Sequence, residues 1–211
     1  MTAILDQLSS RSGDRSEAAN LTVVAQCRAD PTLVANVAAG LADKDAAVVG
    51  DCAEVLTHLA EEHPDWVSPH APALAALLAH KKTRVRWEAM HALAFVAGSV
   101  PDVIADLLPR LRCIIQEDAS IIVRDYAVDA LSNYASVNAQ TAAEVYPLLQ
   151  ESLVAWEGRH AGHALPGLVH VAVHLPERRA DIQVAIQPCL EHPRAAIRKA
   201  AKAALKAINN P

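Results

Sequence analysis

The stretch Val85-Arg86-Trp87-Glu88-Ala89-Met90-His91-Ala92-Leu93 decides the fold, because its pattern recurs along the chain. It returns as Val123-Arg124-Asp125-Tyr126-Ala127-Val128-Asp129-Ala130-Leu131 and as Ile197-Arg198-Lys199-Ala200-Ala201-Lys202-Ala203-Ala204-Leu205. Each copy has a β-branched residue, then arginine, then alanine four residues after the first position and leucine eight residues after it. On a helix these positions form one apolar stripe. The sequence therefore predicts one kind of buried helix that is used repeatedly.

The recurrence has a regular period. The first residue of the pattern, here called the anchor, occurs five times at spacings of 37 or 38 residues: Val48, Val85, Val123, His160 and Ile197. A leucine lies eight residues after every anchor: Leu56, Leu93, Leu131, Leu168 and Leu205. Proline follows three anchors by 16 residues, at Pro64, Pro101 and Pro176. Because proline suits the first turn of a helix, each repeat is expected to contain two helices.

The period, the paired helices and the Val-Arg-x-x-Ala-x-x-Ala-Leu pattern together resemble the HEAT-repeat family of armadillo-like α-solenoids. The resemblance implies an all-α fold, a right-handed α-α superhelix forming a single domain over residues 1–211. Residues 31–209 would form five two-helix repeats, with the second helices on the concave face. Residues 1–30 would supply N-terminal cap helices, with a loop over residues 9–14. The fourth repeat departs from the pattern, since Pro166-Gly167 should kink or break its second helix.

Composition narrows the possible classes. Apolar residues make up 52% of the chain and aromatic residues only 3%, which favours closely packed helices of Ala, Leu, Val and Ile. No apolar run is long enough to span a membrane, and Asp6 lies where a signal peptide would be positively charged, so we expect a cytoplasmic protein without a membrane partner. The four cysteines are far apart and are predicted to be buried free thiols. A net charge of −5 makes nucleic acid an unlikely partner.

The candidate binding residues lie 2, 3, 6 and 10 positions after the anchors, away from the apolar stripe. Neighbouring repeats should bring them side by side into an acidic groove with aromatic residues in its middle. We therefore predict a non-enzymatic scaffold for a protein or peptide of basic character, without a cofactor; the alternative is an ordinary solvated surface. The predicted residues are Asp51, Glu54, His58, Trp87, Glu88, His91, Phe95, Asp125, Tyr126, Asp129, Asn133, His163 and His170.

Histidines suggest a second function. Four of them fall between His160 and His174, and His170 and His174 are one helical turn apart, a spacing that helical zinc sites use. His163, His170 and His174 are thus candidate metal ligands, although the expected kink at Pro166 argues against a shared site. Protonation of several imidazoles could instead make the cluster sensitive to pH.

The sequence lacks the residue patterns of two HEAT-like enzyme classes. Deoxyhypusine hydroxylase holds two irons with His-Glu pairs at the second and third positions after its anchors, and no repeat here has such a pair. HEAT-like alkylpurine DNA glycosylases use a basic concave surface, whereas this one is predicted to be acidic. Nucleic-acid binding on the last helix is a further alternative, because that helix carries Arg194, Arg198, Lys199, Lys202 and Lys206. The recurring Arg86, Arg124 and Arg198 are expected to brace loops against acids such as Asp45 and Asp118.

Overall fold

The computed structural model describes residues 4–13 and 16–210, and all regular structure within these residues is helical. The predicted all-α class is therefore confirmed. The helices group into two compact units, Met1–Val100 and Pro101–Pro211, called unit 1 and unit 2 below. The expectation of a single domain over residues 1–211 stays a prediction.

Short 3-10 helices accompany the α-helices in both units. In unit 1 the α-helices are α1 (Ser9–Ser12), α2 (Ala18–Ala29), α3 (Leu33–Ala39), α4 (Ala46–Glu62), α5 (Pro64–Val67), α6 (Ala71–Leu77) and α7 (Thr83–Val96). In unit 2 they are α8 (Pro101–Glu117), α9 (Ile121–Tyr134), α10 (Ala139–Gly158), α11 (Ala161–His174), α12 (Arg179–Ile186) and α13 (Ala195–Asn209). The 3-10 helices are Leu5–Gln7, Gly40–Ala42, Ser68–His70, Pro176–Arg178 and Gln187–Glu191.

The recurrent pattern lies on α4, α7, α9, α11 and α13, which we call the second helices. Within unit 1, α4 packs against α7, and within unit 2, α11 packs against both α9 and α13. The leucines eight residues after the anchors lie in this packing: Leu56, Leu93, Leu131 and Leu168 are fully buried, and Leu205 is partly exposed. The predicted prolines begin helices as expected, since α5 starts at Pro64, α8 at Pro101 and a 3-10 helix at Pro176.

A recurrent turn precedes most second helices. Five residues before the anchor, a side chain accepts a hydrogen bond from the main-chain N–H two residues further on, which closes a tight turn. The acceptors are Asp43 (2.8 Å), His80 (3.1 Å), Asp118 (2.8 Å) and His192 (3.1 Å).

The recurrent arginine braces the same turn. Arg86 donates to the main-chain oxygen of His80 (2.9 Å), Arg198 donates to that of His192 (2.7 Å), and Arg124 donates to that of Asp118. The bracing predicted for these arginines is therefore present, and in these bonds it uses main-chain carbonyls rather than the expected carboxylates.

The fourth repeat has neither the turn residue nor the arginine. Ala155 stands where the other repeats have Asp or His, and the chain leaves helical geometry at Ala155, Trp156 and Glu157. Trp156 and Glu157 have φ of 53° and 59°, a left-handed conformation that is strained for residues other than glycine. The helical chain is therefore interrupted just before the fourth second helix.

Two local predictions were wrong. Residues 9–12 form α1 rather than a loop, while residues 14 and 15 lie outside the described part of the chain. The first-turn N–H groups of α1 are satisfied by distant side chains, because Ser9 donates to Asn20 (3.0 Å) and Ser10 donates to Asp51 (2.7 Å).

The second wrong prediction concerns Pro166-Gly167, which does not break α11. Packing holds the helix together: Gly167 lies against α9, and the Ser132 hydroxyl donates to the main-chain oxygen of His163 (2.7 Å).

No helix within the described residues is long and apolar enough to cross a membrane. All four cysteines are free; Cys27, Cys52 and Cys189 are buried as predicted, whereas Cys113 is exposed.

We expect Gly167→Ala to destabilise the protein by about 1–3 kcal/mol, the range for overpacking a filled core. A Cβ at this position would lie 2.6 Å from Ser132 Oγ, 2.8 Å from Ser132 Cα and 2.9 Å from a Leu149 methyl carbon. Gly162→Ala is the matched control on the same helix, because its Cβ would meet only Ile197, at 3.8 Å. Urea unfolding of both variants measures the difference. Equal stability of the two variants would contradict the close packing of α11 on α9.

Candidate binding surface on the second helices

The structure divides the predicted binding residues into exposed and buried groups. Glu54, His58, Trp87, His91 and Phe95 of unit 1 are partly exposed, as are Asp125, Tyr126, Asp129, Asn133, His163 and His170 of unit 2. Asp51 and Glu88 are instead buried, with 1% and 6% of their surface exposed. They therefore do not lie on the surface where the sequence places them.

The burial of Asp51 and Glu88 follows from how second helices pack. Both residues lie three positions after an anchor, and in unit 1 this position is covered by neighbouring helices. The Thr57 hydroxyl of α4 donates to the main-chain oxygen of Glu88 on α7 (3.0 Å), which fixes the register of these two helices. In unit 2 the equivalent residue of α11 is His163, which meets Asp129 of α9. A polar side chain at this position therefore needs a partner from the adjoining helix.

Asp51 has such partners. One carboxylate oxygen accepts from the main-chain N–H of Ser10 (2.7 Å), and the other accepts from the Arg84 guanidinium (2.7 Å). Burial by itself would raise the pKa of Asp51, but the hydrogen bonds from Ser10, Arg84 and Asn20 outweigh it and lower the pKa. Asp51 therefore ties α1 and α7 to α4 as a structural residue.

Beside Asp51, three side chains from two segments of unit 1 converge. Glu54 Oε2 accepts from Arg84 (2.5 Å) and from the Asn20 amide (2.9 Å), and His58 Nε2 lies 3.0 Å from Glu17 Oε1. One ligand atom from each of Glu17, Glu54 and His58 lies within 4.8 Å of the other two. Within residues 4–13 and 16–210, this is the group of His, Cys, Asp and Glu side chains whose geometry could hold a metal ion.

Glu88 adds a fourth acid to this part of unit 1. Burial, followed by the charge of Glu54, raises the pKa of Glu88 to about 7, while Arg84 opposes the shift and Glu17 and Asp51 add to it. No side-chain hydrogen bond or ion pair of Glu88 is present among the described residues. A buried carboxyl without a partner is unfavourable when it is charged.

Unit 2 contains a chain of histidines and acids between α9 and the start of α11. His160 Nδ1 lies 2.6 Å from Asp125, and His163 lies 3.5 Å from Asp125 through Nε2 and 2.8 Å from Asp129 through Nδ1. Arg124 donates from Nε to Nε2 of the buried His160 (3.2 Å). Since a guanidinium can only donate, Nε2 of His160 accepts and its ring proton is on Nδ1, facing Asp125.

The two carboxylates act differently on His163. The hydrogen bond from Asp129 raises the pKa of His163; burial opposes this, and the charges of Asp129 and Asp125 add to the rise. Asp129 is hydrogen-bonded to one nitrogen of the ring and Asp125 lies nearest the other, so the two acids hold the imidazole in place rather than converging with it on one ion. His163, His170 and His174 likewise form no three-ligand group among the described residues. Burial, followed by the charge of His174, lowers the pKa of His170.

Aromatic residues were only partly anticipated by the sequence. The rings of His91 and Phe95 are 4.9 Å apart on α7, and Trp87 lies on the same helix. Trp156, which the sequence analysis did not single out, is 47% exposed, and its indole donates to the main-chain oxygen of Ile115 (2.9 Å). The Arg124 guanidinium lies 3.9 Å from its ring centroid. The sequence signals that this loop differs through Ala155, which stands where the other repeats have the Asp or His of the turn.

We expect Glu88→Gln to stabilise the chelator-treated protein at pH 8 by roughly 3 kcal/mol, at about 1.4 kcal/mol per pKa unit. The pKa of Glu88 is raised from 4.5 to about 7 on folding, so the folded state keeps its proton longer than the unfolded state. The penalty is thus absent below pH 4.5 and complete above pH 7. Urea unfolding at both pH values measures it.

Asp51→Asn is the contrasting variant for that experiment. The Asp51 carboxylate of the wild type is paired, so we expect Asp51→Asn to lower the free energy of unfolding by about 1–3 kcal/mol at pH 8. If Glu88→Gln also destabilised the protein at pH 8, the unpaired state of Glu88 would be contradicted.

We expect His163→Gln to cost more stability at pH 6 than at pH 9, by about 0.5–1 kcal/mol, the range for a partly exposed ion pair. The pKa of His163 is raised above its ordinary value of 6.5, so its stabilisation is complete below that pH and is lost as the pH rises through the folded pKa. His170→Gln should lack this dependence, since the pKa of His170 is lowered. Thermal melts of both variants across this range distinguish the two histidines.

No protein-family model matches the chain, and no curated protein matches its sequence. Solved structures do match it. An engineered protein aligns with a TM-score of 0.73 and 21% identity over 100% of both chains. A designed armadillo repeat protein aligns with a TM-score of 0.70 and 20% identity over 98% of both chains.

A second designed armadillo repeat protein, in complex with the peptide (KR)4, aligns with a TM-score of 0.69 and 20% identity over 98% of both chains. At this level of identity the likeness concerns the fold. The chain therefore has the fold of armadillo/HEAT-like helical repeat proteins.

Proposed function

We propose that the chain is a non-enzymatic scaffold that binds a basic, extended segment of another protein on its second helices. The fold supports this proposal, since a designed protein with the same fold was solved with the basic peptide (KR)4. The sequence supports it through a net charge of −5. The second helices pack into a core of fully buried side chains, so they form a preformed surface that loses little entropy when a partner binds.

The observation that carries the proposal is the surface of α9. Asp125, Tyr126 and Asp129 are all partly exposed on this one helix, so an aromatic ring stands beside two carboxylates. An aromatic side chain can pack on the aliphatic stem or the charged end of lysine and arginine, and a carboxylate can pair with that charge. In unit 1, Trp87 and Phe95 are partly exposed on α7.

We expect a fluorescently labelled (KR)4 peptide to bind the full chain, with an affinity that falls as salt is added because exposed charges are screened. Asp129→Asn should weaken binding about threefold, as for one partly exposed ion pair. Trp87→Ala should weaken it about tenfold or more if the indole is an anchor. Fluorescence anisotropy measures each dissociation constant, and circular dichroism confirms that each variant is folded.

Two controls distinguish recognition from general attraction. Glu117 is exposed on α8, which is not one of the second helices. Glu117→Gln removes one charge there and should leave the affinity for (KR)4 unchanged within about twofold. An acidic peptide of the same length should not bind. Equal binding of acidic and basic peptides, or an equal effect of Glu117→Gln and Asp129→Asn, would contradict the proposal.

A further inference from the structure

Four acidic side chains of unit 1 influence one region, in which Arg84 bonds to two of them. Asp51, Glu54, Glu17 and Glu88 all act on the same region, and Arg84 is the cation that bonds to Asp51 and Glu54. Arg84 is thus shared between two acids, while Glu88 has no bonded cation among the described residues. We infer that Glu17, Glu54 and His58, with Glu88 beside them, form a binding site for a divalent transition-metal ion such as Zn²⁺.

The first support is the geometry of the donor atoms. Ligand atoms of Glu17, Glu54 and His58 already lie within 4.8 Å of one another, and His58 Nε2 is 3.0 Å from Glu17 Oε1. Ligands about 2.0–2.2 Å from a tetrahedral zinc ion are themselves roughly 3.3–3.6 Å apart. Glu17 is exposed and Glu54 and His58 are partly exposed, so side-chain rotations within the group would have to close it to this spacing when an ion binds.

The second support is the orientation of Glu54. Its Oε2 atom accepts hydrogen bonds from both Arg84 and Asn20, which leaves Oε1 for an ion. Bound metal ligands are usually held in this way, by hydrogen bonds to atoms that do not touch the ion. The arrangement therefore fixes one ligand in advance of binding.

The third support is independent of these three residues and comes from Glu88. Glu88 as a whole has 6% of its surface exposed, and its carboxyl makes no hydrogen bond among the described residues. The bond from Thr57 to the main-chain oxygen of Glu88 places this residue at the level of α4 between Glu54 and His58. Glu54 is the charged neighbour with the greatest effect on Glu88. A cation in the cluster would supply the partner that this buried acid lacks.

The mixture of donors selects the class of ion. Calcium and magnesium prefer sites made of oxygen atoms, whereas an imidazole nitrogen among carboxylates is typical of zinc and other first-row transition metals. Glu17 precedes α2, Glu54 and His58 lie on α4, and Glu88 lies on α7. The ion would therefore join the N-terminal segment to two second helices of unit 1.

Isothermal titration of the full, chelator-stripped chain with Zn²⁺ tests the site. We expect one ion per chain with a dissociation constant in the micromolar range or below. His58→Gln and Glu88→Gln should each weaken binding about tenfold or more, as loss of a ligand or its immediate support does. Zn²⁺ should also raise the melting temperature of the wild type but not that of His58→Gln.

The matched control is the double variant His170→Gln/His174→Gln, which removes the histidine pair of unit 2 and should keep the affinity within about twofold. Loss of binding in this control, or stoichiometric binding that survives His58→Gln, would overturn the site. So would the absence of one-to-one binding below about 100 μM. Glu88→Gln should remain folded without metal, so unchanged Zn²⁺ affinity in this variant would overturn the assignment of Glu88. The peptide experiment probes Asp129 and Trp87 and is independent of this outcome.

Discussion

The structure depends on close side-by-side packing of second helices within each unit. Four residues after each anchor stands a small residue that is completely buried: Cys52, Ala89, Ala127, Ala164 and Ala201. Small side chains at these positions let neighbouring backbones approach, and the leucine one turn later fills the space beyond. The residue just before the small one is drawn into the same contact. It must therefore be apolar or find a polar partner on the adjoining helix.

The polar residues at this position follow from that constraint. Asp51 is paired with Arg84 and Ser10, and His163 is paired with Asp129 and Asp125. Glu88 is buried in the same way, but it has no such partner, and the charge of Glu54 adds to the rise in its pKa. Most of the polar side chains that the sequence assigns to a groove thus have structural partners.

Sequence periodicity predicted the helices, their starting prolines and the buried leucines, because these depend on residues close together in the chain. Long-range partners were not predictable in this way. Helix α1 forms because Asn20 and Asp51 cap it, and α11 stays continuous because Gly167 packs against Ser132. Glu17 and His58 are 41 residues apart in sequence, so no spacing rule could bring them together. The helical wheel also placed Asp51 and Glu88 on the outside, since it describes one helix and not its neighbour.

Among the described residues, the strained turn at Trp156 and the buried Glu88 are both unfavourable features, and they differ in what compensates for them. The strained turn at Trp156 is held by the indole bond to Ile115 and by the Arg124 guanidinium over the ring, so its compensation is internal. The buried Glu88 has no such contact within the described residues. Polar groups that break local rules without an internal partner are expected at functional sites, where a ligand completes them. This contrast is why the proposed ion lies beside Glu88 and not at the strained turn.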